Sequence, residues 1–353
     1  MKRIIIVLLT LVPVVPLFSQ EGEAFTIGTV TANCGEIASG KLVIEKGIDN
    51  GTFVPFSIIH GAQPGPVLTL NAGLHGTEYV PIVVLQKLLK EIEPDQLSGT
   101  VVLVHIANIP GFKEMVVYNN PVDKKNLNRE YPGKQDGTLS ERIAFSITHE
   151  IIIKSDYYLD LHGGEFNEQI VDYIYFWPGC PDQRLSEASR MLAHATGNHY
   201  IIPDKYLPPD ETKEGTYSDL AAMHLGIPAA SLEWGDRGKV EREVVEFALN
   251  GIKNVLQTLG MLEGKPFVNK NPVYLIDDNS VKCNYDGILY AEVNKGQFVS
   301  KGSRLGYTTD YWGNILEEYK APVTGMVVLA IDVPAIFTGK TVFRVSRVAD
   351  TLE

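Results

Sequence analysis

From about residue 53 to residue 262, short apolar runs alternate with longer amphipathic ones. FVPFSIIH, PVLTLNAG, TVVLVHIAN, DYYLDLHG, DYIYFWPG and AASLEWG are rich in Val, Ile, Leu and aromatic residues, as buried strands are. Between them YVPIVVLQKLLKEI, LSERIAFSITHEIII, RLSEASRMLAHAT, YSDLAAMHLG and VEREVVEFALNGIKNVLQTL repeat their apolar positions with the period of a helix. The alternation predicts an α/β fold with a mixed, mostly parallel sheet flanked by helices. In such sheets ligands gather at the carboxyl ends of strands, so residues closing a strand are the first to inspect for chemistry.

After GKPFVNKNP the pattern changes. Residues 272–350 read as short strands punctuated by Gly, Asn and Pro, which predicts a small all-β domain after a main domain at 21–265. AEVNKGQFVSKGSRLGYTTD followed by YKAPVTGMVV resembles the turns of lipoyl and biotinyl carrier domains. The stretch before Ala321, DYWGNILEEYK, lacks the hairpin lysine motif such carriers need, so a structural or site-covering role is expected instead. At the other end, MKRIIIVLLTLVPVVPLFSQ joins two cations to an apolar run and a small polar end, the pattern of a signal peptide over 1–20. Cleavage near Ser19 or Gln20 implies a secreted or periplasmic product without stable membrane insertion. A retained anchor is the competing reading, though two prolines and a short apolar run suit a spanning helix of about twenty residues poorly.

With 353 residues, 44% hydrophobic and 21% charged, the chain can bury a large core. The formal charge of −12 becomes −14 once Lys2 and Arg3 are removed, which speaks against a nucleic-acid partner. Cys34, Cys180 and Cys283 lie far apart with no CxxC spacing. One disulfide with a thiol left over is possible, but buried small side chains are the expectation, and they form no metal site.

The chemistry gathers at strand ends. NAGLHGTEYVP carries His75 and Glu78 in the turn after PVLTLNAG, and glycines at 73 and 76 allow a tight path there. DYYLDLHGG closes another strand with His162, and two His with one carboxylate make a zinc site with a coordination position left open. Asp160, two residues before His162 and on the same face of its strand, is placed to orient that imidazole. AASLEWGDRG ends a third strand with Glu233, half-buried and suited to act as a general base. Its competing role is an ion pair with Arg237 or Lys239. The remaining histidines, His60, His105, His149, His194, His199 and His224, read as structural.

HGTE, NLNRE, DLHGG and LEWG, in this order and rough spacing over residues 53–262, resemble the succinylglutamate desuccinylase/aspartoacylase family, a branch of the zinc carboxypeptidase superfamily. The resemblance implies a zinc carboxypeptidase-like fold, Zn2+ on His75, Glu78 and His162, and Glu233 as base. It also implies that Asn128 and Arg129 bind a substrate carboxylate, a role suited to a guanidinium with an amide beside it. Members of the family commonly carry an Arg shortly before a P-x-D-G-x-D-L-N-R run, held to polarise the scissile carbonyl. Here YNNPVDKKNLNR has Tyr118 at that Arg, Lys124 at the Gly and Asn126 at the Asp. Lys124 or Lys125 is the expected source of the missing charge, and Glu165 and Tyr217 are further candidates to line the pocket.

The expected activity is hydrolysis of an amide bond in a small N-acyl amino acid or related carboxylate-bearing compound. Because the chain reads as exported, a short or cell-wall peptide is an alternative substrate, which would make it a metallocarboxypeptidase. A non-catalytic ligand-binding relative is the alternative from another class. Acyl group, amine and oligomeric state are not written in the sequence.

Overall fold

A computed structural model describes residues 22–210 and 215–352, so the expected signal peptide lies outside the described residues. A two-stranded hairpin, β1 (Phe25–Ile27) and β2 (Val30–Ala32), precedes β3 (Glu36–Ile44), β4 (Thr52–His60), β5 (Gln63–Ala72), α1 (Tyr79–Glu91), β6 (Ser98–Val104), α2 (Ile109–Glu114) and α3 (Leu139–Glu150). Then come β7 (Tyr157–His162), β8 (Glu168–Ile170), β9 (Tyr173–Phe176), α4 (Gln183–Ala195), β10 (Tyr200–Pro203), α5 (Ser218–His224), β11 (Ala229–Glu233) and α6 (Arg242–Thr258). The rest is strand: β12 (Val273–Lys282), β13 (Gly287–Ala291), β14 (Phe298–Val299), β15 (Arg304–Thr309), β16 (Ile315–Lys320), β17 (Gly325–Ile331), β18 (Ala335–Ile336) and β19 (Thr341–Ala349).

The main sheet runs β3-β4-β6-β5-β7-β11-β9-β10 and continues through β12, β19, β17 and β14. Pairing is parallel for β5 with β6 and β7, β7 with β11, and β9 with β10. It is antiparallel at β3–β4–β6 and between β9 and β11, so the sheet is mixed as expected. On one face Leu68, Leu70, Leu159, Leu161 and Leu232 pack under α1, α4 and α6. On the other, Val102, Val104 and Tyr158 pack under α3 and α5. Side chains alternate along a strand, so Asp160, His162, Ser231 and Glu233 share the second face.

The 272–350 region has a core of its own around Leu305, Val327 and Phe343. It is nevertheless continuous with the main sheet. β12 pairs in parallel with β10, Tyr200 opposite Val273, and β8 pairs antiparallel with β17. β3 forms one edge of the main sheet. The cysteines are free, and Cys34 is exposed, which corrects the expectation that all three are buried. No helix among the described residues is long and apolar enough to cross a membrane.

Candidate metal centre and its cavity

The turn after β5 is built for close approach. Gly73 takes φ +70°, and a Cβ there would stand 2.9 Å from the Ile106 Cα. At Gly76 a Cβ would come within 2.3 Å of the Gly111 carbonyl oxygen, so no larger residue fits without moving backbone. This turn brings His75 and Glu78, the latter at the N-cap position of α1 with its side chain free of any capping bond, to the end of β7.

His75 Nδ1 lies 2.7 Å from Glu78 Oε1, and His162 Nδ1 lies 2.8 Å from Glu78 Oε2. All three side chains are buried, and their candidate ligand atoms fall within 4.8 Å of one another. The far nitrogens are held by acceptors: His75 Nε2 by Asn126 Oδ1 at 3.1 Å, His162 Nε2 by Asp160 Oδ2 at 2.9 Å. An acceptor at Nε2 takes its proton and leaves the Nδ1 lone pair turned inward. Two lone pairs and a carboxylate converging at one buried point are a donor set that fits a divalent cation.

Without a metal the charges are balanced by protons. Burial works to raise Glu78, but the imidazoles of His75 and His162 outweigh it and bring the carboxyl to about 2. Burial likewise opposes charge on His162, yet Asp160 and Glu78 carry it well above the ordinary histidine value.

Glu233 closes β11 directly opposite His162 on β7, and on its other side faces Tyr173 of β9. One rung deeper stand Asp160, Ser231 and Tyr175. Burial and the neighbouring Glu78 push Glu233 well above the usual carboxylate range. Arg237, one of its expected ion-pair partners, pairs instead with Asp332 at 2.6 Å.

Asn128 and Arg129 arrive on a 3-10 turn at Leu127–Arg129. Asn128 Oδ1 accepts from Ser218 N at 2.9 Å, while its Nδ2 lies 3.0 Å from His162 Nε2, whose proton goes to Asp160. Arg129 donates from Nη1 to its neighbour's carbonyl at 2.6 Å and stacks 4.1 Å from the centroid of the Tyr217 ring. Arg129 lines a cavity of about 690 Å³ together with His75, Glu78, His162, Glu233 and Tyr217.

The lysines expected to supply charge do not line this cavity. Lys124, at φ +62°, turns its ammonium onto the Pro121 carbonyl oxygen at 2.7 Å, and Lys125 bridges Glu130 and Glu141 at 3.1 and 3.2 Å. Glu165 is fully buried behind the wall, accepting from the Thr77 hydroxyl and from Tyr118 N, and burial lifts it to about 8. Tyr118 meets His75 edge-on at 5.1 Å between ring centroids and donates its hydroxyl to Glu168.

Cations do reach the cavity, from the carboxyl-terminal segment for which a structural or site-covering role was expected. Lys282, Lys340 and Arg344 of that segment line it, with Lys340 Nζ 5.3 Å from the Tyr118 ring centroid. Tyr173, Tyr175, Glu168 and Asp219 were also missed. The alternation in DYIYF, which sets two tyrosines on the face of Glu233, was the available signal for the first pair.

Residues 64–259 match the model of the succinylglutamate desuccinylase/aspartoacylase catalytic domain. The chain belongs to this family. It is 28% identical over 307 residues to the N-alpha-acetyl-L-2,4-diaminobutyric acid deacetylase of Halomonas elongata, covering 85% of this chain and 87% of that one. Among solved structures it resembles a succinylglutamate desuccinylase from Silicibacter sp. TM1040, with TM-score 0.80, 23% identity, and 94% and 100% of the two chains covered. It also resembles the product-bound ectoine utilization protein EutE (DoeB) from Ruegeria pomeroyi, with TM-score 0.79, 23% identity, and 93% and 100% covered. At these identities the structural likeness establishes the fold, including the carboxyl-terminal β region.

Proposed function

We propose that the protein is an exported zinc-dependent hydrolase that cleaves the amide bond of a small N-acyl amino acid. The observation that carries this reading is the convergence of His75, Glu78 and His162 with Glu233 on the next strand, inside one cavity. Family membership and the deacetylase relative support the reaction class. The amino-terminal pattern is the support for export.

Zn2+ held by the three ligands would make a water nucleophilic near neutral pH and draw electron density from the carbonyl. Asp160 and Asn126 hold the two imidazoles in the tautomer that ligation requires. Glu233 accepts a proton from the attacking water. As the carbon–nitrogen bond breaks, it returns that proton to the departing nitrogen, leaving a carboxylic acid and a free amine. Burial raises its proton affinity, which suits a group that must take a proton from the attacking water. Arg129 offers its remaining N–H groups to a substrate carboxylate, while Asn128 Oδ1 accepts from the first turn of α5 at Ser218 N.

The test is a panel of N-acyl amino acids and short peptides, with amine release followed and metal content measured. About one zinc per chain and release from the acyl amino acids are expected. Glu233→Gln should keep the metal and lose about 10²- to 10⁴-fold in turnover. Undiminished turnover in that variant would remove Glu233 from the reaction, and release from peptides alone would make the protein a peptidase.

A further inference from the structure

The cavity contains a hydrogen-bonded cluster that none of these steps uses. Arg344 reaches it from β19, with its side chain only 13% exposed. Its Nη1 donates to the Tyr173 hydroxyl and its Nη2 to the Tyr175 hydroxyl, both at 2.8 Å. Nε and Nη2 also donate to Asp278. A guanidinium has five N–H groups. These bonds engage four, leaving one on Nη1 without a partner among the described residues.

The hydroxyls of Tyr173 and Tyr175 are 3.0 Å apart, so one donates to the other. Tyr173 is fully buried, whereas Tyr175 keeps some exposure toward the cavity. The arrangement that satisfies both has Tyr173 donating to Tyr175, and Tyr175 directing its own proton into the cavity. Its backbone lies opposite Ser231, one rung below Glu233, and the cross-strand alternation puts the cluster on the same face as the base.

We propose that Tyr175 donates a hydrogen bond to a carboxylate or carbonyl oxygen of the bound substrate, and that Arg344, from the carboxyl-terminal segment, is the positioning residue that aims it. Two donors, the Tyr175 hydroxyl and the remaining Arg344 N–H, held by fixed partners, form a built subsite for an oxygen acceptor. Lys282 and Lys340 also line the cavity, but both are exposed, flexible and hydrated, and they lack this fixed aim. The inference rests on the deacylase reading only for the kind of substrate.

Tyr175→Phe removes the donor and keeps the ring. It should raise KM roughly tenfold, the worth of one hydrogen bond, with kcat changed less than about twofold. Arg344→Lys should raise KM similarly, because one ammonium cannot hold two hydroxyls in the guanidinium's fork. The double variant should lose no more than either single one, a coupling that a purely structural Arg344 would not produce. An unchanged KM in an active Tyr175→Phe enzyme, or additive losses, overturns this inference and leaves the reaction class standing. If the wild type turns nothing over, calorimetric Kd values for the same N-acyl amino acids, compared between wild type and Tyr175→Phe, decide it. An absence of both turnover and binding across the panel overturns the inference and the deacylase reading together.

Discussion

Asp160→Asn tests the idea that the sheet, through a second residue on β7, decides how His162 presents its ring. Asp160 is fully buried; its Oδ2 lies 2.9 Å from His162 Nε2, and its Oδ1 accepts from Asn71 Nδ2 at 3.1 Å. A carboxylate can only accept, so both neighbours must donate and the His162 proton stays on Nε2. An amide at 160 carries one acceptor and one donor. If its donor faces His162, the ring proton moves to Nδ1 and that ligand is lost; if its acceptor does, the bond survives without its charge. Asn71 Oδ1 has no hydrogen-bond partner among the described residues, so Asn71 can rotate to meet the new amide. The fold should therefore survive, and the cost should fall on metal binding. Loss of such a partner weakens metal affinity about 10- to 100-fold, or about 1.4 to 2.7 kcal/mol. Competition for zinc against a chromophoric chelator measures it, with cooperative thermal unfolding of the metal-free variant as the control for folding. Wild-type zinc affinity in a folded Asp160→Asn protein would refute the reasoning.

The other perturbations separate the cavity wall from its surroundings. Tyr118→Phe deprives the buried Glu168 of its hydroxyl donor and should lower stability by about 1 to 3 kcal/mol, read by urea denaturation, because an unsatisfied buried carboxylate remains. Lys124→Ala should leave KM and kcat at wild-type values, since that ammonium is spent on Pro121 outside the cavity; a raised KM in steady-state kinetics would return it to the substrate's path. In the metal-free protein Glu78 sits at about 2 against an ordinary 4.5, so its ion pairs stabilise the fold above about pH 4.5 and are lost as pH falls toward 2. Melting temperatures of chelator-treated protein should show that decline, and Glu78→Gln should flatten it. His162 has the opposite sign: its raised value stabilises fully below about pH 6.5, and the contribution fades as pH rises through its elevated folded value.

What the sequence disclosed and what it withheld follow from one physical distinction. His162 and Glu233 were legible because each closes an apolar run, and the period of two fixes which residues share their face. Glu78 was legible because it lies three residues from His75 in a turn that only glycine can make. Lys124 and Lys125 misled because aligning a position does not show where a side chain goes. A left-handed backbone at Lys124 and two carboxylates beside Lys125 decide their direction, and neither can be read from KKNLNR. Arg344 and Tyr175 were out of reach for another reason. Their contact spans 169 positions and depends on β12 joining β10, a pairing that no local pattern announces.

That pairing changes what the carboxyl-terminal strands do. Were they a tethered cap, Lys282, Lys340 and Arg344 would reach the cavity through a mobile joint. Instead β12 extends the catalytic sheet, and β17 pairs with β8, the strand that carries Glu168 into the cavity wall. Lys295 ties Asp236, just beyond Glu233, and the Ile170 carbonyl oxygen to the same segment at 2.8 and 2.9 Å. Gln169 and Arg237 are tied to it through Asp332. The loops flanking His162 and Glu233 are thus each bonded to the carboxyl-terminal segment. Loosening the β8–β17 contact should disturb the positions of Glu168 and Glu233 before it opens the cavity, because the segment that covers the site also forms part of its frame.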